Sequence, residues 1–240
     1  MKYLIVFILF FIVLNITQAQ NDSLYIDSVS VPRGFIGISF GPSYPFSDYK
    51  KTKVSDPSSG FAMTGVHINI IQGAYVIKHN FGVSFLYGAG ANNFDASSYV
   101  LSYADIDKSS TYIVKATSWS YGTVLGGLFL SFPIDNFMID FRAMGGYSSA
   151  TSPRIQLTID DGINVVQKLQ SDAKSGAFAF DLGMGFRFAM NKRITATAYV
   201  DYLQANHTFS FDANSIRNDL SIKAPISVLH MSFGFGYLLY

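Results

Sequence analysis

Bulky apolar residues alternate with small or polar residues through most of the chain after Arg33. The segment from Gly176 to Phe188 is the clearest case. From position 178 onward every even position carries Phe, Leu or Met, and the odd positions carry Gly, Ala, Asp or Arg. In a helix a two-residue step rotates by about 200°, which would spread the bulky side chains around the whole circumference. In a strand they share one face, so the pattern predicts a β-strand with two chemically different faces.

Eight segments of the chain show this alternation. The segment from Trp119 is the least clear, because both of its faces carry apolar residues. The predicted strands are Gly34–Tyr44, Thr64–Tyr75, Phe81–Ala91, Trp119–Phe132, Phe137–Tyr147, Gly176–Phe188, Ile194–Tyr202 and Leu229–Leu239. Proline cannot donate to a sheet ladder, and all seven prolines fall at the ends of these segments or between them. These are Pro32, Pro42, Pro45, Pro57, Pro133, Pro153 and Pro225.

The connections between the predicted strands alternate in length. Residues 76–80, 133–136 and 190–192 form tight turns, whereas residues 45–60, 92–118, 149–174 and 204–225 are long and polar. Short turns on one side and long loops on the other are typical of a transmembrane barrel. The pattern predicts an all-β fold, an eight-stranded antiparallel up-and-down transmembrane β-barrel with four long extracellular loops.

Two kinds of barrel fit alternating strands, and they place the apolar face on opposite sides. A soluble, lipocalin-like barrel would turn its bulky residues inward, whereas a membrane barrel turns them toward lipid. The interior of an eight-stranded barrel is only just wide enough for side chains. A face of Gly, Ala and Ser with a few charges fits inside, but six Phe-sized groups per strand do not. Steric volume therefore favours the membrane barrel.

Three stretches carry a resemblance to a known family. They are Gly34-Phe-Ile-Gly-Ile-Ser-Phe-Gly-Pro-Ser-Tyr-Pro45, Asn80-Phe-Gly-Val83 and Phe233-Gly-Phe-Gly-Tyr-Leu-Leu-Tyr240. They resemble the outer-membrane β-barrel domain family of Gram-negative bacteria, small porin-like barrels of the OmpA, OmpX and OmpW type. The resemblance covers Arg33 to Tyr240 and implies a location in the cell outer membrane. It also implies that the C-terminal strand is read by the barrel-insertion machinery.

The start of the chain is predicted to be a targeting segment. Lys2 precedes an unbroken apolar run from Tyr3 to Leu14, and small residues stand at Thr17 and Ala19. This is the pattern of a cleaved secretory signal peptide. The run is shorter than the roughly 20 residues of a membrane-spanning helix. The predicted organisation is a signal peptide at 1–19, a short periplasmic segment at 20–32 and a barrel domain at 33–240.

Composition excludes several classes of function. Charged residues make up only 14% of the chain, and there is no cysteine, which removes disulfide scaffolds, thiol catalysis and a lipid-modified cysteine. Removal of Lys2 with the signal peptide leaves a formally neutral chain. Neutrality argues against a nucleic-acid partner, which requires a basic face. No metal site is predicted, because two lone histidines make no metal-ligand spacing. No cofactor is predicted either, because the glycines recur every second residue, as in strands, and form no phosphate-binding loop before a helix.

Five charged residues fall on the predicted inward face. We expect cross-strand ion pairs between Asp140 and Arg187 and between Arg142 and Asp181, because an unpaired buried charge is costly. The alternative reading is a selectivity filter or a proton path, which so narrow a barrel leaves little room for. The predicted lumen network is Asp140, Arg142, Asp181, Arg187 and Asp201.

Aromatic residues cluster toward the strand ends, which is typical of the girdles that flank the hydrocarbon layer. Those near the long loops are Trp119, Tyr121, Tyr147 and Tyr202. Those near the tight turns are Phe81, Phe137, Phe188 and Tyr237. We expect all eight to face the membrane interface.

His230 and Ser232 lie on one face of the last predicted strand. The pair resembles the serine-esterase pairing of outer-membrane lipid A deacylases, in which His acts as the base toward a Ser nucleophile. The more economical interpretation is a buried His bonded to polar neighbours. His67 is predicted to point inward beside Asn69, whereas His79 and His207 are predicted to lie solvated in a turn and a loop.

Two loops contain further alternating runs. Asp161-Gly162 is a hairpin turn signal between two such runs, and this hairpin is expected to lengthen the fifth and sixth strands above the membrane. Tyr99 to Tyr103 and Thr111 to Val114 are expected to form a second extension. Counting one hairpin as membrane-spanning would give ten strands, but its runs are shorter than the ~9–11 residues that a spanning strand needs.

Three hypotheses for function remain open from the sequence. The leading one is a non-enzymatic structural or surface-interaction protein that acts through its extracellular loops. The second is a narrow conduit for small apolar molecules, which the resemblance to OmpW implies. The third is a lipid-modifying outer-membrane enzyme that uses His230 and Ser232. The expected partners are outer-membrane lipid, the insertion machinery and a surface partner at the loops.

Overall fold

The computed structural model describes residues 32–211, 216 and 221–240. The predicted signal peptide and all of the predicted periplasmic segment except Pro32 lie outside these residues. The strands are β1 (Gly34–Pro45), β2 (Ala62–Lys78), β3 (Phe81–Phe94), β4 (Thr111–Ala116), β5 (Trp119–Ile134), β6 (Phe137–Thr151), β7 (Ile155–Asp160), β8 (Val165–Gln170), β9 (Lys174–Ala189), β10 (Ile194–Ser210) and β11 (Ser221–Leu239). The described helices are α1 (Ser47–Lys50) and α2 (Ala96–Ala104).

Eight of these strands form a closed ring. The order around the ring is β1-β11-β10-β9-β6-β5-β3-β2, and every described neighbour is antiparallel. The first and last strands close it, with Gly34 opposite Leu239. Closure leaves the ring without a free edge. The prediction of an eight-stranded up-and-down barrel is confirmed, and the ten-strand count is wrong.

The bulky face of the strands points out of the barrel. Phe186 and Phe233 are 51% and 62% exposed, whereas Asp140 and Arg187, from the opposite face, are fully buried. Exposed phenylalanines ring the outer wall, and Gly, Ser, Thr and charged groups fill the inside. This is the arrangement of a transmembrane β-barrel, and it rules out the lipocalin-like orientation. In the described part of the chain, no helix is long and apolar enough to cross a membrane.

The strands on the long-loop side are longer than the alternation predicts. β10 runs to Ser210 and β11 begins at Ser221, so most of the predicted loop at 204–225 is a paired ribbon. Pro225 lies inside β11 and not in a connection, which corrects the prediction. β1 pairs with β11 only as far as Val228, so Pro225 lies where β11 has a free edge and a missing N–H is tolerated.

One strand changes phase in its middle. In β2 the pairing with β3 shifts register between Asn69 and Ile71, and Ile70 and Ile71 both face outward. A bulge of this kind adds one residue and reverses the alternation beyond it. Gln72 consequently points into the lumen, where it is fully buried.

Beyond the barrel on the long-loop side is a second, smaller sheet, in the order β4-β7-β8. The predicted hairpin at Asp161-Gly162 exists, and Gly162 has the positive φ of 82° that this turn needs. The hairpin was predicted to lengthen the fifth and sixth barrel strands. Instead it pairs with β4. We name α2, β4, β7 and β8 together the loop head.

The segment from Tyr99 to Tyr103 is part of a helix and not of a strand extension, which is a further correction. Asp95 caps α2 by accepting a hydrogen bond from the Ser98 amide at 2.9 Å, and a cap of this type starts a helix. Tyr99 and Tyr103 are four residues apart, so both lie on one helix face, and their rings are 5.2 Å apart. Short alternating runs fit a helix as well as a strand.

Candidate functional site

The lumen near the tight turns is held by one ion pair. Arg187 contacts Asp140 through Nε and Nη2, at 2.5 and 3.0 Å. Asp140 also accepts hydrogen bonds from Ser131 at 2.8 Å and from Tyr199 at 2.5 Å. The carboxylate thus uses about its full acceptor capacity. The Arg187 guanidinium lies 4.6 Å from the centre of the Phe35 ring, and this contact packs the lower lumen.

A second ion pair fills the middle of the lumen. Arg142 donates from Nε and Nη2 to the two oxygens of Asp201, at 2.7 and 2.6 Å, which is the bidentate fork of a strong pair. Its Nη1 also reaches Gln72 at 3.4 Å, and its guanidinium lies 4.3 Å from the centre of the Tyr199 ring. The expected partner was Asp181, whose buried Oδ1 has no hydrogen-bond partner among the described residues.

Strand pairing explains why Arg142 pairs with Asp201. Gly183 lies directly opposite Arg142 on β6 and directly opposite Asp201 on β10. A Cβ atom at position 183 would collide with Asp201 Oδ1 and lie 2.9 Å from Arg142 Nε. The glycine therefore leaves the gap through which the two side chains meet. Asp181 lies one inward position higher on the same strand, opposite Met144.

The upper lumen contains a stacked histidine pair. The rings of His67 and His230 are 4.0 Å apart and nearly parallel. His230 Nε2 shares a hydrogen bond of 2.7 Å with the Tyr121 hydroxyl, which in turn bonds Ser43 Oγ at 2.9 Å. The His230 imidazole thus stacks on the His67 ring and shares a hydrogen bond with the Tyr121 phenol.

The predicted His230–Ser232 pairing is not formed. Ser232 Oγ has no hydrogen-bond partner among the described residues, and His230 bonds Tyr121 instead. Both side chains are buried in the lumen, away from the lipid-facing wall. The residues that a serine-esterase site would need are therefore not brought together.

The mouth on the long-loop side is closed by aromatic residues. Trp119 is buried, donates to the Gly60 carbonyl at 2.8 Å, and packs edge-on against Tyr49 and Phe209 with ring centres 5.5 Å apart. Trp119 and Tyr121 were predicted to belong to the outer girdle, and both point inward instead. The error arises on the strand whose two faces are both apolar, where alternation cannot choose a direction.

The other predicted girdle residues face outward. Phe81, Phe137, Tyr147 and Tyr237 are exposed on the outer wall, and Tyr202 and Phe188 are partly exposed.

The predicted position of His207 in a solvated loop is wrong, because His207 is buried on β10 and bonds Ser148 Oγ at 3.2 Å. It was placed in a loop because β10 was predicted to end earlier.

Two small cavities lie in the barrel and its mouth. A cavity lined by His67, His230, Tyr121, Asp181 and Asp201 offers about 10 Å³ to the centre of a water molecule, which is room for about one water. A second cavity, between Trp119 and Phe209 of the barrel and Ile155 and Gln170 of the loop head, offers about 20 Å³. In the described residues, no group of three or more His, Cys, Asp or Glu side chains could hold a metal ion.

The loop head packs against the end of the barrel through a small shared core. Phe61, Tyr99 and Ile155 are buried together, with Phe94, Tyr103 and Val114 packed against them. The sheet of the loop head turns its other face to solvent. Ile113 of β4 and Val165 and Leu169 of β8 are exposed on that face, and Ile163 at the hairpin tip is 89% exposed.

Several of these residues carry no clear signal in the sequence. Tyr199 and Ser131 complete the Asp140 site, and both lie on inward positions that alternation identifies once the strand phase is known. Gln72 is hidden by the bulge in β2. Tyr49 comes from a loop helix of four residues, and no pattern in the sequence indicates that it closes the mouth.

Comparisons with known proteins add the following. No protein-family model matches the chain, and no curated protein matches it significantly. Among solved structures, Ail, the attachment invasion locus protein of Yersinia pestis, is 13% identical with a TM-score of 0.45, and the match covers 88% of this chain and 100% of that one. Neisserial surface protein A is 10% identical with a TM-score of 0.43, covering 85% and 96%. A major outer membrane protein from Thermus thermophilus is 10% identical with a TM-score of 0.46, covering 86% and 99%.

Identities and TM-scores this low carry no argument about function, and the fold rests on the strand pairing. The eight paired strands, the closed ring and the outward apolar face are those of a small outer-membrane β-barrel, the class of protein that the sequence resembles.

Proposed function

We propose that the chain is an integral outer-membrane protein whose barrel does not conduct solutes and whose loop head mediates contacts at the cell surface. The observation that carries the proposal is the obstructed lumen, because two buried ion pairs and a cluster of aromatic rings at the mouth occupy the space that a solute path would need. The short turns then face the periplasm and the loop head faces the exterior.

The membrane location is supported by the outer wall. Exposed apolar side chains follow every barrel strand, including Ile38, Phe85, Leu128, Phe186 and Phe235. Soluble monomers rarely expose contiguous apolar patches larger than a few hundred Å². A belt of this kind is stable in contact with hydrocarbon and would aggregate in water.

The absence of conduction is supported by two independent features of the lumen. The Arg187–Asp140 and Arg142–Asp201 pairs occupy it at two heights, and breaking a buried pair is strongly unfavourable. Trp119, Tyr49 and Phe209 close the mouth above them. The two cavities described above each hold about one water. The conduit hypothesis is therefore not favoured.

The surface role is supported by the loop head. It is an ordered sheet packed on the barrel end, and its solvent face exposes Ile113, Val165 and Leu169 among polar residues. Surface loops held by a rigid scaffold disproportionately carry binding residues, and we expect these exposed apolar side chains to make the contacts. For β11 we retain the proposal that its terminal residues, from Phe233 onward, are read by the barrel-insertion machinery.

Conductance and adhesion test the proposal together. In planar bilayers the purified protein is expected to give no conductance steps. Gram-negative cells that produce it are expected to aggregate or to adhere to protein-coated surfaces more than cells without it. Val165→Ser/Leu169→Ser should remove at least half of that gain. Gln167→Ser, on the same solvent face, should not. Ion conduction by the native barrel, or adhesion unchanged by the double variant, would contradict the proposal.

A further inference from the structure

The rim formed by the tight turns has an excess of basic residues. Among the described residues it carries Arg33, Lys78, Lys192 and Arg193, with one acid, Asp135. All five side chains are exposed. None of the four basic residues forms an ion pair with a described carboxylate, whereas on the opposite rim Lys51 bonds Asp48 at 2.6 Å and Arg154 bonds Asp172 at 3.1 Å.

The four basic residues form a continuous arc around the ring. The amide of Val76 donates to the Arg33 carbonyl at 2.6 Å, which joins the β2–β3 turn to the start of β1. The amide of Leu238 donates to the Arg193 carbonyl at 2.7 Å, which joins the end of β11 to the β9–β10 turn. Asp135 lies on the β5–β6 turn, outside this arc. We name Arg33, Lys78, Lys192 and Arg193 the basic arc.

The basic arc lies at the edge of the lipid-facing belt. Lys78 directly follows Ile77, which is 62% exposed, and is paired with the outward Phe81. Lys192 and Arg193 stand between the exposed residues Met190 and Ile194. Long basic side chains at such a boundary keep their charge in the polar layer and lay their apolar stems along the belt. Their charges are therefore placed at the height of lipid phosphates.

From this placement we infer that the basic arc binds the phosphates of anionic phospholipids in the leaflet that surrounds the tight turns. The inference rests on the proposed membrane location. The arc spreads along the circumference and adjoins lipid-facing side chains, which fits a shell of lipids better than a soluble polyanion that docks on one turn. Each basic residue near an anionic surface adds to the attraction, and salt screens it.

The test compares lipid retention by the purified barrel. After reconstitution in equal amounts of phosphatidylglycerol and phosphatidylcholine, followed by detergent extraction, the native protein is expected to retain the anionic lipid in about tenfold excess at low salt. Lys78→Gln/Lys192→Gln/Arg193→Gln should lower that excess at least fivefold, since each charge contributes several-fold. Lys50→Gln/Lys53→Gln, on the opposite rim, should leave it unchanged, and high salt should lower it in the native protein.

The outcomes separate the inference from the proposed function. A slower gel migration after boiling in all variants shows that each barrel is folded and inserted. Failure of the native protein to insert into either lipid would sink the membrane location itself. Insertion with equal retention of the two lipids, or retention unchanged in the triple variant, overturns the inference alone. Charge-dependent binding of the basic arc to peptidoglycan, without a preference between the two lipids, would also overturn the inference.

Discussion

The absence of a side chain at Gly183 determines which charged groups of the lumen form a pair. It lies opposite both Arg142 and Asp201, and the absence of a Cβ atom lets the guanidinium reach the carboxylate across β9. Gly185 has the same relation to Tyr199, whose ring a Cβ at position 185 would strike. The inward glycines therefore determine which polar groups of neighbouring strands come into contact.

We expect Gly183→Ala to destabilise the barrel by about 3 kcal/mol or more, because the added methyl displaces Asp201 from Arg142 and breaks a buried pair. The measurement is urea unfolding in detergent, followed by the gel mobility of unheated samples. Gly126→Ala is the matched control, since its Cβ would only touch a backbone oxygen at 3.8 Å. Equal stability of the two variants would show that the gap at Gly183 is not needed.

The two lumen acids near Arg142 should respond differently to neutralisation. Asp201→Asn leaves the guanidinium of Arg142 without its bidentate partner and should cost about 3–5 kcal/mol. Asp181→Asn removes a carboxylate whose Oδ1 is unpaired, and it should be neutral or stabilising. Unfolding of both variants at one pH measures the difference. A larger loss from the Asp181 variant would restore Asp181 as the working partner of Arg142.

At the scale of elements, the loop head is separable from the barrel. Its sheet order β4-β7-β8 includes no barrel strand, and its helix begins at a local cap. A sheet with its own hydrogen bonds can open without the ring opening, and such opening would break the contacts with Phe61 and Phe94. The barrel, in contrast, has no edge from which to unravel.

Leu157 tests this separation. It is fully buried in β7, and Leu157→Ala should cost the loop head about 2–5 kcal/mol. We expect trypsin to cut near Lys115 and Lys168 much faster in this variant, while the unheated barrel keeps its gel mobility. Thr158→Ala, one residue along and on the other face, is the control. Loss of the folded gel band in the Leu157 variant would mean that the head and the barrel are one cooperative unit.

For the whole molecule, closure of the ring predicts resistance to detergent. Each barrel strand is paired on both sides through the closed ring, so sodium dodecyl sulfate at room temperature finds no open sheet edge within the ring. Unboiled protein should therefore migrate faster on a denaturing gel than boiled protein, and it should fractionate with membranes. Identical mobility of the two samples, with the protein in a soluble fraction, would contradict the membrane barrel.

The sequence by itself determined the fold class, the number of barrel strands and the side of the wall that each charged residue occupies. Those features follow from a period of two residues that is repeated over eight long segments, together with steric limits on the interior. Asp140, Arg142, Asp181, Arg187 and Asp201 all lie inside, as their positions in the alternation predict.

Only the tertiary structure decided which of these residues meet and where alternation loses its meaning. The partner of Arg142 depends on the register of β9 against its two neighbours. Asp201 lies opposite Gly183, and Asp181 lies one inward position away from Gly183 on the same strand. Trp119 and Tyr121 turn inward on a strand with two apolar faces, and Gln72 follows a bulge. Register, bulges and loop packing are set by contacts between distant segments, and a local pattern of hydrophobic and polar positions contains no information about such contacts.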